Sequence, residues 1–512
     1  MKNSAVPAIA KLFAAAWTVF SLLATVWALA TPIGAAPDEP AHLIKAASVV
    51  RGEFIGHRVA GGNVVRVPEY VAFSFDQTCY AFKSNITADC MKQVPGDPNR
   101  LVDARTSAGL YNPAYYALVG WPSLIFADSS GIFAMRILSG IIVSLFLAIA
   151  VALISTWDRA IIPMVGLAIA ITPMAVFLAG TVNPNALEVS AILAAFVGIS
   201  TFVRQPNSSA KPLHIAVLFV SASVAANMRG LSLLWLAFAL SAPLLVLKRT
   251  ELLSLWRHRG TPIASVGIGV AAVAAAVWLI STNSLGTATS SSGALPPVPG
   301  TGSSPLRGFV LTLLSTFEYA KEIVGVFGWL DTQAPDFVYF CWALLGGGLL
   351  FVCGLLLRGR ASVPTLALGG AVVMLPPILQ GYYIHSGGII WQGRYILPLF
   401  ACLIVAAASA LSKVVRFDQQ LSLRISIAIF GLWGISQFFS FAVALRRYSV
   451  GADAGWVAML HPRWTPPLGI AVLLCSSAVI LTLGVGSLIR WLRAHSFPHQ
   501  LERIEPLNIG AP

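Results

Sequence analysis

Long apolar runs recur along the whole chain, separated by short polar turns. The first follows Lys2 and Lys11 and ends near Ala30; the others lie at about 132–156, 160–180, 186–203, 213–228, 230–247, 261–281, 337–357, 364–384, 394–412, 424–445 and 467–489. A helix of about 20 apolar residues crosses a bilayer with every backbone group satisfied internally. The pattern therefore predicts an all-α polytopic membrane protein, with residues 1–512 forming one integral membrane domain of about twelve transmembrane helices. The Ala28-Leu29-Ala30 ending resembles a peptidase site, but the run is long for a signal peptide and is read as an uncleaved anchor.

Two longer polar segments interrupt the pattern. Residues 32–130 read as a large first extracytoplasmic loop with interfacial helices. One helix is predicted from Asp38 to about Arg51, stopping at Gly52, with Asp38 as its cap and Pro40 in its first turn. Asp38, His42 and Lys45 then share a face. A short apolar helix is expected at 114–126, with Trp121 at headgroup level. Residues 282–336 read as a second extracytoplasmic loop: a Ser/Thr/Gly/Pro-rich flexible piece at 282–305, able to close over a site, then an amphipathic helix from Leu306 to Val324.

Charge orients the chain. Arg159, Arg204, Lys211, Lys248, Arg249, Arg257, Arg259, Arg358, Arg360, Lys413, Arg416 and Arg424 all fall in alternate loops. The positive-inside rule makes those loops cytoplasmic, with both termini and the tail 490–512 on the same side. Composition agrees with a membrane protein: 57% of residues are hydrophobic and 10% charged. The formal charge of +13 is explained by those loops, and no basic stripe with interleaved aromatics points to nucleic acid. Among the six cysteines, Cys79 and Cys90 share a soluble segment and could pair in an oxidising compartment.

Polar residues at the outer helix ends are the candidates for chemistry, because charge at membrane depth is costly. Asp38 and Glu39 either cap a helix and compensate its dipole, or supply a general base or hold a divalent cation. Asn183 and Asn185 begin a span as an Asn-Pro turn, or hydrogen-bond a sugar; Glu188, a turn further in, needs a partner or offers a second metal ligand. Gln392, Arg394 and Tyr395 follow His385, and the Arg394 fork suits a phosphate. Arg229 is a second outer arginine, and Asp331 either caps or binds substrate. Lys321 reads as a solvated side chain or a lipid-phosphate contact, and Arg446 and Arg447 as headgroup contacts.

The order of Pro37-Asp38-Glu39-Pro40-Ala41-His42 with Gly52, Tyr111-Asn112-Pro113, Thr172-Pro173-Met174, Asn183-Pro184-Asn185-Ala186, Gly328-Trp329-Leu330-Asp331 and Gln392-Gly393-Arg394-Tyr395 with Pro398 resembles the GT-C class of polyprenyl-phosphate-sugar-dependent membrane glycosyltransferases. More narrowly, it resembles a bacterial membrane-protein family known only as a domain of unknown function within that class. The resemblance implies a GT-C-like bundle in a bacterial inner membrane. A sugar would pass there from a polyprenyl-phosphate donor to a cell-envelope glycan or glycolipid, on the extracytoplasmic face. Asp38 would act as base, and Arg394 would offset charge on the departing phosphate. Tyr111, Asn183, Asn185, Arg229, Asp331, His42, His385, Gln392 and Tyr395 would line the donor site. A divalent cation (Mg, Mn or Ca) on Asp38, Glu39 and Glu188 stays open, because Asn185 stands where an Asp is common in the family pattern. A transporter or flippase of a lipid-linked saccharide, or a glycan polymerase or ligase, are the alternatives.

Overall fold

A computed structural model describes residues 5–284, 298–415 and 418–496. Residues 285–297 of the expected flexible loop and 497–512 of the expected tail lie outside the described residues, as do Lys2, Arg416 and Arg503. Among the described residues, nine helices are long and apolar enough to cross a bilayer: Pro7–Ala30, Ser130–Ser155, Pro184–Arg204, Gly260–Thr282, Asp336–Leu356, Gly359–Gly387, Leu397–Val414, Gln419–Val450 and Ile470–Ala494. Two bent pairs, Ile161–Ala170 with Pro173–Ala179 (65°) and Ser232–Val246 with Arg249–Trp256 (119°), bring the count to eleven if each is one span. The expected twelve is not reached. The run at 213–228 forms the 16-residue helix Lys211–Ala226, and at about 24 Å it is shorter than a hydrocarbon core of about 30 Å.

Apolar helices with small residues pack all round, and Pro184–Arg204 does so at the centre of the bundle, where Ala191, Ala194, Ala195 and Ser190 are fully enclosed. The first span packs on Ser130–Ser155, which packs on Pro184–Arg204. The break between Ile161–Ala170 and Pro173–Ala179 follows from Pro173, which cannot donate to the preceding turn. The freed Ile171 carbonyl accepts from Trp433 Nε1 at 2.9 Å and Gln437 Nε2 at 3.0 Å, and Thr172 Oγ1 donates to the Ile323 carbonyl at 2.8 Å. Neighbouring helices thus satisfy the broken one.

The first loop holds the expected helix, here Glu39–Val49. It also holds a feature the all-α reading omits, a three-stranded antiparallel sheet of His57–Val59, Gly62–Pro68 and Leu101–Thr106. Val65 pairs with Ala104 and Val67 with Val102. Thr106 Oγ1 donates to the Ala41 carbonyl at 2.7 Å and so pins the sheet to the helix. Lys45 is fully buried and donates to the Phe54 and Gly109 carbonyls. The expected 114–126 helix is a shorter α-helix, Pro113–Val119, followed by a 3₁₀ turn, Trp121–Leu124. Cys79 and Cys90 are disulfide-bonded, with Cα atoms 6.2 Å apart. The amphipathic stretch is two helices, Pro305–Leu314 and Thr316–Gly325, interrupted at Ser315. Lys321 reaches only Glu318 and is solvated.

Candidate active site

The Glu39–Val49 helix starts abnormally. Asp38 precedes it with φ 61° and ψ 2°, a left-handed conformation tolerated by Asp at a cost of about 1 kcal/mol. In that conformation its carboxylate makes no capping hydrogen bond, so the expected cap does not form. The side chain turns instead to Arg394, whose Nη2 donates to Asp38 Oδ2 at 2.5 Å. The carboxylate is half-exposed and the guanidinium 2% exposed. Burial works to raise the Asp38 carboxyl, but Arg394, with Arg229 beyond it, holds it below the usual carboxylate range.

Arg394 is itself tightly held. Nε donates to Gln392 Oε1 at 2.6 Å, Nη1 to the Pro37 carbonyl at 3.5 Å, and its plane lies 5.1 Å from the Tyr395 ring centre. Gly393 lets this turn approach the Thr316–Gly325 helix, since a Cβ there would meet the Tyr319 carbonyl at 2.3 Å. Glu322 accepts from the Gly393 N–H at 2.5 Å and fixes the approach. Asn183 completes the frame: its amide donates to the Pro37 carbonyl at 3.1 Å, and its oxygen caps the Pro184–Arg204 helix at Asn185. Below Asp38, His42 Nδ1 lies 2.8 Å from the Tyr116 hydroxyl. Burial pushes the imidazole down to about 3, so it is neutral.

Glu39 has a different place. Both of its carboxylate oxygens accept from Arg136, at 2.7 and 2.5 Å, and Oε1 also accepts from the Val182 N–H at 3.1 Å. Neither side chain of the pair is exposed at all. Arg136 also donates to the carbonyls of Ala28, Thr31 and Pro32. This knot joins the end of the first span to Ser130–Ser155 and to the Asn-Pro turn. The expectation that Glu39 shares in catalysis or ligates a metal does not fit: its lone pairs are used and no substrate reaches it. Glu188 is likewise occupied, by Ser232 Oγ at 2.6 Å, Asn185 Nδ2 at 3.1 Å and Arg229 at 3.6 Å. Among the described residues no three His, Cys, Asp or Glu side chains converge on a metal-sized site. Asp38, Glu39 and Glu188 therefore do not form the cation site left open above.

Tyr395, the ring under Arg394, is also a wall of a cavity of about 380 Å³ lined by Tyr111, Arg229, Trp278, Tyr383 and Trp391 among others; Asp38 itself does not line it. Arg229 lies over the other reach of Tyr395, 4.6 Å from the ring centre, so one phenol ring touches two guanidinium groups. Arg229 is 17% exposed, and its charge reaches the cavity that buried Arg394 does not line. Trp391 Nε1 is buried in the same wall without a partner.

A family profile matches residues 20–403, spanning every element just described from the first helix to Tyr395. The chain belongs to the DUF2142 family of predicted membrane proteins. A family of unknown function is what the order of its motifs implies. No curated protein matches it. This DUF2142 chain is also similar to ArnT from Cupriavidus metallidurans in the apo state, with 14% identity, 96% of this chain and 78% of the other covered, and a TM-score of 0.43. That likeness is too loose to decide a common architecture.

Two candidates stand apart from the site. Asp331 accepts from Arg447 Nη2 at 2.9 Å and from Thr332 Oγ1 at 3.0 Å, and its side chain is 8% exposed. Arg447, expected at lipid headgroups, is 1% exposed and donates to the carbonyls of Tyr80, Lys83 and Ile86. The pair anchors the disulfide loop of this DUF2142 chain. Arg446 lies against Trp456 instead of lipid. His385 is an exposed residue in the last turn of Val363–Gly387 and does not line the cavity. Sequence reasoning passed over Arg136 and Tyr116. An arginine inside an apolar run was the available signal for Arg136; Tyr116 carried none beyond its place just after Tyr111-Asn112-Pro113.

Proposed function

We propose that the chain transfers a sugar from a polyprenyl-phosphate donor to a cell-envelope glycan or glycolipid, at the outer face of a bacterial inner membrane. The observation that carries this reading is the Asp38–Arg394 pair. Asp38 keeps a half-exposed carboxylate, and its partner Arg394 packs on Tyr395, a wall of an aromatic cavity that also holds the Arg229 guanidinium, which supports the reading. The acceptor hydroxyl attacks the anomeric carbon, the bond from that carbon to the phosphate oxygen breaks, and the hydroxyl proton passes to Asp38. A carboxylate held this acidic is a weak base, so it takes the proton late, once the bond to phosphate is largely broken. Arg229 is the better phosphate contact, being exposed in the cavity; Arg394 positions Asp38 and keeps it ionised. The aromatic walls suit sugar and prenyl faces.

A flippase needs charge at mid-depth in the spans. Among the described residues, Arg136, Glu188 and Arg447 each lie within about two turns of a helix end, and all three are paired. That arrangement supports chemistry at one end of the bundle over passage through it. The test is a panel of polyprenyl-phosphate sugars with glycan acceptors, given to purified wild type and Asp38→Asn. Transfer by wild type, lowered at least about a hundredfold in the variant, is expected. Transfer undiminished in Asp38→Asn removes that base, and lipid-linked sugar translocation without transfer sinks the enzyme reading.

A further inference from the structure

Three spans that begin beside Asp38, namely Ser130–Ser155, Pro184–Arg204 and Leu397–Val414, converge again at their other ends, about 30 Å away. There Arg204 and Lys413 line a cavity of about 80 Å³. Arg204 is built in. Its Nη2 donates to the Ser409 carbonyl at 3.1 Å and to Ser409 Oγ, and its plane lies 4.3 Å from the Trp157 ring centre. Trp157 is fixed by Thr201 Oγ1 at 2.9 Å. Arg159 closes the cluster from one side, donating to the carbonyls of Ser412 and Lys413 at 2.9 and 3.0 Å.

Arg136, Arg229, Arg394 and Arg447 of the opposite end each have a carboxylate, while buried Lys45 there is held by two carbonyls. Among the described residues, Arg159, Arg204 and Lys413 have none within 4.0 Å. Asp158 stands nearby but is exposed and forms no ion pair with them. Apart from Ser200 and Ser409, the rest of the cavity wall is apolar, including Phe196, Pro243, Val246 and Ala406. Converging cations with no ion-paired carboxylate and only exposed Asp158 as a more distant counter-charge, at a helix-end depth and beside largely apolar walls, match a molecule with a phosphate at one end and acyl chains at the other. The volume is too small for a glycan or a peptide.

We infer that this cavity holds the headgroup phosphate of an anionic phospholipid, at the end of the bundle opposite Asp38. The site is independent of the transfer reaction. It adds a lipid-dependent stabilisation that any substrate assignment leaves untouched.

Native mass spectrometry of the purified full chain, titrated with phosphatidylglycerol, phosphatidylcholine or inorganic phosphate, tests it. One phosphatidylglycerol is expected to be retained per chain, and Lys413→Gln, an exposed position that leaves the fold intact, should weaken retention at least about fivefold. Arg204→Gln with Lys413→Gln should weaken it further. The control is Arg249→Gln with Arg257→Gln, which removes two exposed charges from the neighbouring loop and should change nothing. Equal loss in the control means general surface attraction and overturns the site. Equal retention of phosphatidylcholine overturns the headgroup charge. Inorganic phosphate binding as well as the lipid assigns the cavity to a free anion and overturns the lipid.

Discussion

Asp38 and Glu39 are adjacent in sequence and differ in everything that follows. One sits in a left-handed turn with its carboxylate half in solvent; the other is sealed against Arg136. The sequence showed that two acids exceed what a helix start needs. It could not tell which was free, because the choice depends on an arginine 97 residues further on. Substitution separates them. Glu39→Gln leaves Arg136 buried without its counter-charge and should cost about 3–5 kcal/mol, read as a lower unfolding midpoint. Asp38→Asn should leave that midpoint within about 1 kcal/mol. A stable Glu39→Gln would refute the structural role. Arg394 yields a pH signature. Burial pulls the Asp38 carboxyl up and Arg394 outweighs it, so the folded value lies below the ordinary one of about 3.9. If Asp38 is the base, it is ionised throughout the neutral range, and transfer should fall only below the ordinary carboxylate range. In Arg394→Gln the raising influence of burial remains and its main opponent is gone. The acid limb of kcat/KM should move up. A limb that stays put would mean that Asp38 is not the group that titrates.

At the scale of elements, the long helices were legible and the loop architecture was not. Each apolar run announced its helix because burial in lipid leaves few alternatives. The sheet in the first loop was missed, although Gly62–Pro68 alternates between buried and less buried residues along Val64-Val65-Arg66-Val67. In a chain dominated by helical runs that short period-2 signal is easy to absorb into a glycine-rich loop. The division of 306–324 at Ser315 was also invisible, because the apolar stripe continues across it. The Cys79–Cys90 loop shows how such irregular segments stay in place. The Arg447 side chain collects three of its carbonyls, and Asp331 holds Arg447, so a span carries the loop. Closing a loop of 11-residue separation stabilises by about 3 kcal/mol on the chain-entropy account. Cys79→Ser with Cys90→Ser should lower the unfolding midpoint correspondingly while keeping transfer activity, since neither cysteine lines the cavity. Loss of activity at unchanged stability would place the disulfide loop in the site instead.

At the scale of the whole molecule the two ends of the bundle differ in the kind of charge they carry. Around Asp38 four buried or half-buried arginines, Arg136, Arg229, Arg394 and Arg447, are paired with carboxylates across different elements, while Lys45 and Arg446 are held by carbonyls and an aromatic ring. At the other end Arg204, Arg159, Lys413, Arg249 and Arg257 have no such partners among the described residues. Translocation during insertion explains the asymmetry: unpaired basic residues in short loops stay on the cytoplasmic side, whereas a cation on the far side persists where a local acid neutralises it. Under the proposed function Asp38 faces away from the cytoplasm, and this sidedness can be checked directly. His461 is exposed at the Asp38 end, following the long helix Gln419–Val450, and Thr250 is exposed at the opposite end, in Arg249–Trp256. In intact cells a membrane-impermeant maleimide should label His461→Cys and leave Thr250→Cys unlabelled until the membrane is opened. The native free cysteines Cys341, Cys353 and Cys402 are buried, and Cys475, exposed in the span Ile470–Ala494, sets the background to subtract. The reverse labelling would put Asp38 in the cytoplasm. A lipid-linked donor presented from outside would then never meet its carboxylate.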